Sequence, residues 1–303
     1  MKKFLSLILT FILVASIFTS CNENMLNDDT QADTTEQSES LTQTEKQTKK
    51  ETTKKETTKK ETEKTYYKES TEKLAFQLNS DKKSYTLVGT GSCTLNEITI
   101  DGYKGLPVTK IGYRALYDNS VVTKITIGSA VKTIAEEAFY LCDNLKTVIM
   151  TNSVTSIGKE AFSKCESLKN VTLSAALTSI SDGLFAECHE LESITLSKNI
   201  TKIGQNAFFD CIYLTSITLP ENLTFIGNWA FYCAGLENIV IPKNVTHIGG
   251  GAFEGCPLET VTLKNKNGWK YETSGKAVDP YTLSHDRDLV MFFHYGFSTI
   301  VRS

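Results

Sequence analysis

Cys142, Cys165, Cys188, Cys211, Cys233 and Cys256 stand in a row, each 22 or 23 residues from the next. A thiol can bind a metal, attack an electrophile, join a second thiol or fill apolar space, and its spacing and neighbours decide among these. Zinc modules draw cysteines from pairs about two to four residues apart, and this row contains no such pair. A thiol nucleophile needs a base within hydrogen-bond reach. His189 adjoins Cys188, but consecutive side chains of an extended segment point to opposite sides, so the two do not form a working pair. His285 lies in the stretch HDRD, which reads as a polar loop near the terminus rather than a metal site. No HExxH, GxSxG or phosphate-loop pattern occurs. The sequence therefore predicts no catalytic residue, no cofactor and no metal, and a protein that is not an enzyme.

The row belongs to a larger element. Residues 157–173 read IGKEAFSKCESLKNVTL, and near copies recur over more than half of the chain. A period of this length predicts a solenoid whose units cannot bury their apolar side alone. Within one unit Val171 and Leu173 alternate with Asn170 and Thr172, the period of a short strand buried on one side. The rest of the unit must turn the chain back to begin the next strand one layer on. Stacked strands lie about 4.8 Å apart, so equivalent side chains form ladders. Ile111, Ile134, Ile157, Ile180, Ile203, Ile226 and Ile248 make one. Phe139, Phe162, Phe185, Phe208, Phe231 and Phe253 make another, with Leu116 in the first place. A buried large apolar side chain contributes about 1.5–3 kcal/mol, so these ladders dominate the expected stability. Gly112, Gly158, Gly204, Gly227 and Gly249 follow the isoleucines, but Ala135 and Ser181 fill that place in two units. Small size, rather than a left-handed backbone, is the requirement there.

On this geometry the six cysteines form a third, inward-pointing ladder. Neighbouring Cα atoms about 4.8 Å apart fall within disulfide range, but parallel side chains hold the Cβ atoms farther apart than the preferred ~3.8 Å. Cysteine also behaves as a small, readily buried apolar residue. Buried free thiols are the favoured reading; disulfide pairing, which export favours, stays open. Cys93 is expected to pack in the N-terminal cap.

The chain opens MKKFLSLILTFILVASIFTSC, with Lys2 and Lys3 before an apolar run from Phe4 to Phe18. That pattern is an export signal, over residues 1–20. The run is too short for the roughly 20 residues that span a bilayer, and nothing later in the sequence is long and apolar enough. FTSC resembles a bacterial lipobox with Phe18 in place of the usual Leu, which implies lipid attachment at Cys21; cleavage nearby and secretion is the alternative. Residues 21–73, Thr-, Lys- and Glu-rich, cannot build a packed core and read as a disordered tether. As a coil of ~50 residues it would reach about 40 Å. The ordered remainder, 74–303, carries 20 Lys and Arg against 22 Asp and Glu, which gives no electrostatic case for nucleic acid.

The pattern IGxxAFxxCxxLxxVxL occurs in seven copies, counting GYRAL at 112–116. It resembles the BspA-like (Treponema pallidum type) leucine-rich repeats of bacterial surface lipoproteins. LNSDKKSYTLVGTGSCTLNEITIDGYKGLPVTKIG looks like that family's N-terminal segment, and GWKYETSG with FFHYGFSTIVRS like its terminal one. The resemblance implies an α/β repeat solenoid: a curved, right-handed leucine-rich repeat with a concave parallel β-sheet and short helical or irregular convex segments. It divides the ordered part into an N-terminal cap at 74–107, a solenoid at 108–263 and a C-terminal cap at 264–303. Three units depart from the pattern: ISDGLF at 180–185, a residue missing between Phe231 and Cys233, and the shortened CPL at 256–258.

What such a solenoid presents is the outward strand column, Thr99, Thr126, Ile149, Thr172, Thr195, Thr218, Val240 and Thr262. Beside it run Lys146, Lys169, Glu192, Thr215, Glu237 and Glu259, basic in earlier layers and acidic in later ones. Thr suits any half-exposed strand, so the column can be purely structural. It can also be an extended, ready-made recognition surface, the usual use of such repeats. The resemblance implies an adhesin-like, lipid-anchored surface protein. Its partners would be host matrix or plasma proteins, such as fibronectin and fibrinogen, or other bacterial surfaces. A structural module of the bacterium's own envelope is the alternative. Asn170, Asn199, Asn222 and Asn244 each begin an N-x-T sequon, read as a by-product of the repeat.

Overall fold

The computed structural model describes residues 69–274, 276–278, 290, 292–293 and 298–302. The export signal, Cys21, nearly all of the tether, His285 and His294 lie outside them.

The repeat folds into stacked layers, each with three walls. The first wall starts at the ladder isoleucine. Leu106–Ile111, Thr133–Ile134 and Ser156–Ile157 pair in parallel with the isoleucines in register. Ser179–Ile180, Lys202–Ile203, Phe225–Ile226 and His247–Ile248 form a second parallel set. The strand wall comprises Glu97–Ile100, Lys124–Ile127, Thr147–Met150 and Asn170–Thr172, all parallel. Farther along, Asn238–Ile241 pairs in parallel with Thr260–Leu263.

The wall between them is built of turns, not helix. Each unit places two residues in the left-handed region: Glu137 and Leu141, Glu160 and Lys164, Asn206 and Asp210, Trp229 and Cys233 are examples, with φ between 51° and 60°. A left-handed residue at every fourth position cannot belong to an α-helix, so the irregular form of the implied convex segment is the one seen. A non-glycine residue in this region costs about 1–2 kcal/mol. Interlayer hydrogen bonds offset that cost. Glu137 N donates to Lys159 O (3.0 Å), Phe139 N to Ala161 O (2.9 Å) and Leu141 N to Ser163 O (3.1 Å). Alternation of backbone handedness turns every second amide toward the next layer.

The core is the pair of ladders expected from the repeat. All six ladder phenylalanines are fully buried and stack with ring centroids 4.9–5.9 Å apart. The glycines after the isoleucines are small for steric reasons: a Cβ on Gly158 would sit 2.3 Å from Glu136 N, and its φ is not left-handed.

The N-x-T recurrence also has a structural cause. Asn199, Asn222 and Asn244 donate Nδ2 to the carbonyls of Ala175, Lys198 and Glu221 at 2.8–2.9 Å. Thr201, Thr224 and Thr246 donate Oγ1 to Thr178 O, Thr201 O and Thr224 O at 3.0–3.3 Å. Both side chains of the triplet bind the preceding layer.

Both ends of the stack are closed by antiparallel pairing. Ala75–Leu78 pairs antiparallel with Tyr85–Gly89, which leads into the first wall. At the far end Ile300–Arg302 pairs antiparallel with His247–Ile248 and with Trp269–Tyr271. Phe293 meets Phe253 edge-on at 5.5 Å and closes the aromatic ladder. Such caps remove the open edge on which further chains would stack.

Candidate functional site

Cys142, Cys165, Cys188 and Cys211 are free thiols, fully buried in one ladder. Each donates Sγ–H to the carbonyl 26 residues earlier, Leu116, Phe139, Phe162 and Phe185, at 3.1–3.2 Å. Cys256 makes the same bond to Phe231 O at 2.9 Å. Burial pushes the thiols of Cys165, Cys188 and Cys211 well above the usual cysteine range. A thiol that stays protonated is a poor nucleophile and a poor metal ligand.

Cys233 departs from the expected row. It occupies the left-handed turn position (φ 52°) and is not among the free thiols. Ala234 takes the ladder place, fully buried. The missing residue of that unit therefore lies between Ala234 and Leu236, and only glycine fits beside it: a Cβ on Gly235 would sit 2.2 Å from Ile212 O.

His189 and Cys188 have separate partners: Cys188 Sγ–H donates to Phe162 O, and His189 Nε2 lies 3.2 Å from Asp210 Oδ2. That carboxylate raises the imidazole's pKa. His247 stacks on Phe225 at 4.2 Å, and desolvation lowers its pKa. Among the described residues no cluster of His, Cys, Asp and Glu could hold a metal ion.

The strand wall brings the predicted surface residues together. Thr126 is half-buried; Thr172, Thr195, Thr218 and Thr262 are exposed, as are Ile149 and Val240 at 38% and 47%. Thr99, Thr126, Ile149 and Thr172 are in direct register, and so are Val240 and Thr262. Lys146, Lys169, Glu192, Thr215, Glu237 and Glu259 are all exposed beside them. The charge gradient is partly neutralised: Lys169 Nζ lies 2.6 Å from Glu192 Oε1, a pairing that raises the lysine's pKa.

The wall is not the continuous sheet expected. Ser193–Leu196 and Ser216–Leu219 carry the strand pattern but join no strand, and none of their amides makes a backbone hydrogen bond. The flanking column shows the same break. Lys146, Lys169, Glu237 and Glu259 each donate N–H one layer back, to the carbonyls of Thr123, Lys146, Thr215 and Glu237. Glu192 and Thr215 do not. A groove of about 420 Å³ opens there, lined among others by Ile194, Thr195, Ile217 and Thr218. Leu196 and Ile217, which line it, are only partly buried, as are Val171 and Leu173 in the preceding layer, whereas Ile125, Val148, Ile239 and Ile241 are at most 2% exposed.

Sequence reasoning also missed two stacked aromatic pairs on the turn wall. Tyr117 stacks on Tyr140 at 5.5 Å and Phe209 on Tyr232 at 5.0 Å. Arg114 lies over both Tyr113 and Tyr117. The signal was the residue after the ladder position held by Leu116, Phe139, Phe208 and Phe231, which the repeat consensus leaves unspecified.

Layered parallel strands, ladders of Ile and Phe and turn-built walls define a leucine-rich repeat solenoid. Residues 90–188 and 155–270 match the BspA type leucine rich repeat region, in six copies. The chain belongs to that family. It is similar to a leucine rich cell surface protein of Faecalibacterium prausnitzii A2-165, at 30% identity and TM-score 0.59, over 69% of this chain and 56% of that one. The match thus spans little more than half of that relative's length. A leucine-rich repeat protein of Eubacterium ventriosum is 28% identical, with TM-score 0.51, over 59% of this chain and 52% of that one. The T. pallidum leucine rich repeat protein shares the fold, at 24% identity and TM-score 0.55, over 63% of this chain and 90% of that one. No curated protein matches the sequence. Leucine-rich repeat solenoids are generally non-catalytic binding modules.

Proposed function

We propose that this chain is a non-catalytic, adhesin-like binding protein displayed on a bacterial surface, anchored through lipid at Cys21. It recognises protein partners through its strand wall, taken as the concave side of a right-handed solenoid. The partners are host matrix or plasma proteins or the surfaces of other bacteria. The observation that carries this reading is the exposed column Thr172, Thr195, Thr218, Val240 and Thr262, flanked by charges of both signs on a rigid stack. The cell-surface description of the F. prausnitzii relative supports the location. Among the described residues no helix is long and apolar enough to cross a membrane; the anchor in this reading is Cys21.

The test is capture of purified matrix and plasma proteins, and of whole bacteria, by the chain from Cys21 onward, repeated with Lys169→Glu and Glu237→Lys. The expected result is capture that at least one charge reversal weakens. Retention by the bacterium's own isolated cell wall, with no capture of these partners, contradicts the reading.

A further inference from the structure

We propose that a gap in the turn wall, between Tyr140 and Phe209, binds the guanidinium of an arginine side chain presented by a partner protein. The site is separate from the strand wall and does not rest on that wall being the recognition face.

The gap interrupts a column of rings. The residue after the ladder position is aromatic at Tyr117, Tyr140, Phe209 and Tyr232, but the two layers in the middle hold Ser163 and Ala186 instead. Rings in adjacent layers lie 5.5 Å apart at Tyr117 and Tyr140 and 5.0 Å apart at Phe209 and Tyr232. Between Tyr140 and Phe209 two such steps carry no ring. Ser163 and Ala186 are buried and floor a cavity of about 180 Å³ with Tyr140 and Phe209 in its lining. Gly183 opens it further. It stands at the left-handed turn position (φ 60°) that carries a side chain in Glu160 and Asn206, one layer to either side. Glu160 leans over it, since a Cβ on Gly183 would sit 2.6 Å from Glu160 Cγ.

The lining calls for a cationic donor. Asn206 Oδ1 is shielded from solvent and accepts no hydrogen bond among the described residues. Glu160 forms no ion pair among them, because its neighbours Lys159 and Lys164 pair with Asp182 and Glu187. Desolvation, then Glu137 and Glu136, raise the pKa of Glu160, and a cation beside it would offset that. The cavity is lined by two carboxylates, Glu160 and Glu187, against the single ammonium of Lys164. Ring faces attract cations, and planar ones stack on them. A guanidinium is planar, always charged and edged with five donors, so it can lie on a ring while bonding sideways to Glu160 and Asn206. An ammonium cannot stack in this way, and a neutral guest leaves the charge unmatched.

The chain already contains this arrangement once. Arg114 holds the left-handed turn position of its own unit. Its guanidinium lies 4.7 Å from the centre of the Tyr117 ring, and its Nε lies 2.6 Å from Glu137 Oε2. Gly183 holds the same position with Glu160 one layer back and Phe209 one layer on. A guest guanidinium there would meet the same two groups, a carboxylate and a ring.

The experiment uses the chain from Cys21 onward and three peptides, acetyl-Gly-X-Gly-amide, in which X is arginine, lysine or citrulline. Peptide affinity and the NMR signals of the aromatic rings are read together. The arginine peptide should shift the ring signals of Tyr140 and Phe209. The lysine peptide should bind about fivefold more weakly, and the citrulline peptide, which keeps the shape and loses the charge, about tenfold more weakly. Glu160→Gln should weaken arginine binding about fivefold or more and leave the melting temperature unchanged. Ala186→Tyr should fill the gap and abolish binding; if that variant does not fold, Glu160→Gln still decides. Lys169→Glu, on the strand wall, should leave peptide binding unchanged.

An arginine peptide that shifts neither ring at about 1 mM overturns the proposal. So does equal affinity for the arginine and citrulline peptides, or unchanged affinity in Glu160→Gln. Equal affinity for the lysine peptide overturns guanidinium recognition. Ring shifts with N-acetylglucosamine, and none with the arginine peptide, make the gap a sugar site and also overturn it. Arginine binding with no capture of matrix proteins, plasma proteins or bacteria keeps the gap and removes the proposed function, and the reverse removes only the gap.

Discussion

A thiol hydrogen and a carbonyl oxygen account for cysteine at its place in the repeat. The side chain is small enough for the ladder and supplies a weak donor to a carbonyl of the preceding turn. Their inward direction was legible from the apolar positions of the repeat. The displacement of Cys233 was not, because a one-residue deletion is invisible until the turn that absorbs it is seen. Two histidines give this scale its pH test. Asp210 raises the pKa of His189, so its stabilisation is complete below the ordinary histidine value and is lost as pH rises through the raised one. His247 is the reverse: desolvation lowers its pKa, so its contribution is present above the ordinary value and lost as pH falls through the lowered one. Titration by NMR should place His189 above and His247 below that value. His189→Gln should lower the melting temperature more at pH 5 than at pH 8, and equal losses would contradict the Asp210 assignment.

At the scale of elements, the layers and their ladders were legible because period and alternation survive in every unit. The turns were not. Their left-handed positions hold Arg114, Glu137, Glu160 and Lys164 as readily as Gly183, so the usual glycine signal is diluted by interlayer bonding. The break in the strand wall was hidden for another reason. SITL at 193–196 and 216–219 reads like any other strand of the repeat, and the cause lies elsewhere, in ISDGLF. Leu184 is fully buried where Ala138, Ala161, Ala207, Ala230 and Ala252 stand in other layers. Its extra volume accounts for the widest ring spacings, 5.9 Å from Phe162 to Phe185 and 5.7 Å from Phe185 to Phe208. Ser181 adds to this. Its hydroxyl takes Ile157 O, the carbonyl that the backbone amide takes in other layers. Pairing of the first wall stops between Ser156–Ile157 and Ser179–Ile180. The double variant Ser181→Gly, Leu184→Ala should draw these layers together and slow amide exchange at 193–196. Deleting the buried leucine atoms costs about 2–5 kcal/mol if the layers fail to close. A melting loss of that size with unchanged exchange would refute the wedge.

The whole molecule is a capped stack in which each layer seals the next, so its surface is set by repetition. One wall shows threonines and paired charges, another shows Tyr113, Tyr117 and Arg114. The outward strand column could be read in advance because alternation fixes which residues face out. Its interruption, which makes one part of it chemically different from the rest, could not. The strand wall is the surface proposed to bind. The direct measurement is the hydrogen-exchange footprint of a captured matrix or plasma protein on the chain from Cys21 onward. Protection should fall on 169–172, 192–196, 215–219 and 237–240. A footprint on the turn wall around residues 113–117, with those four segments unchanged, would contradict it.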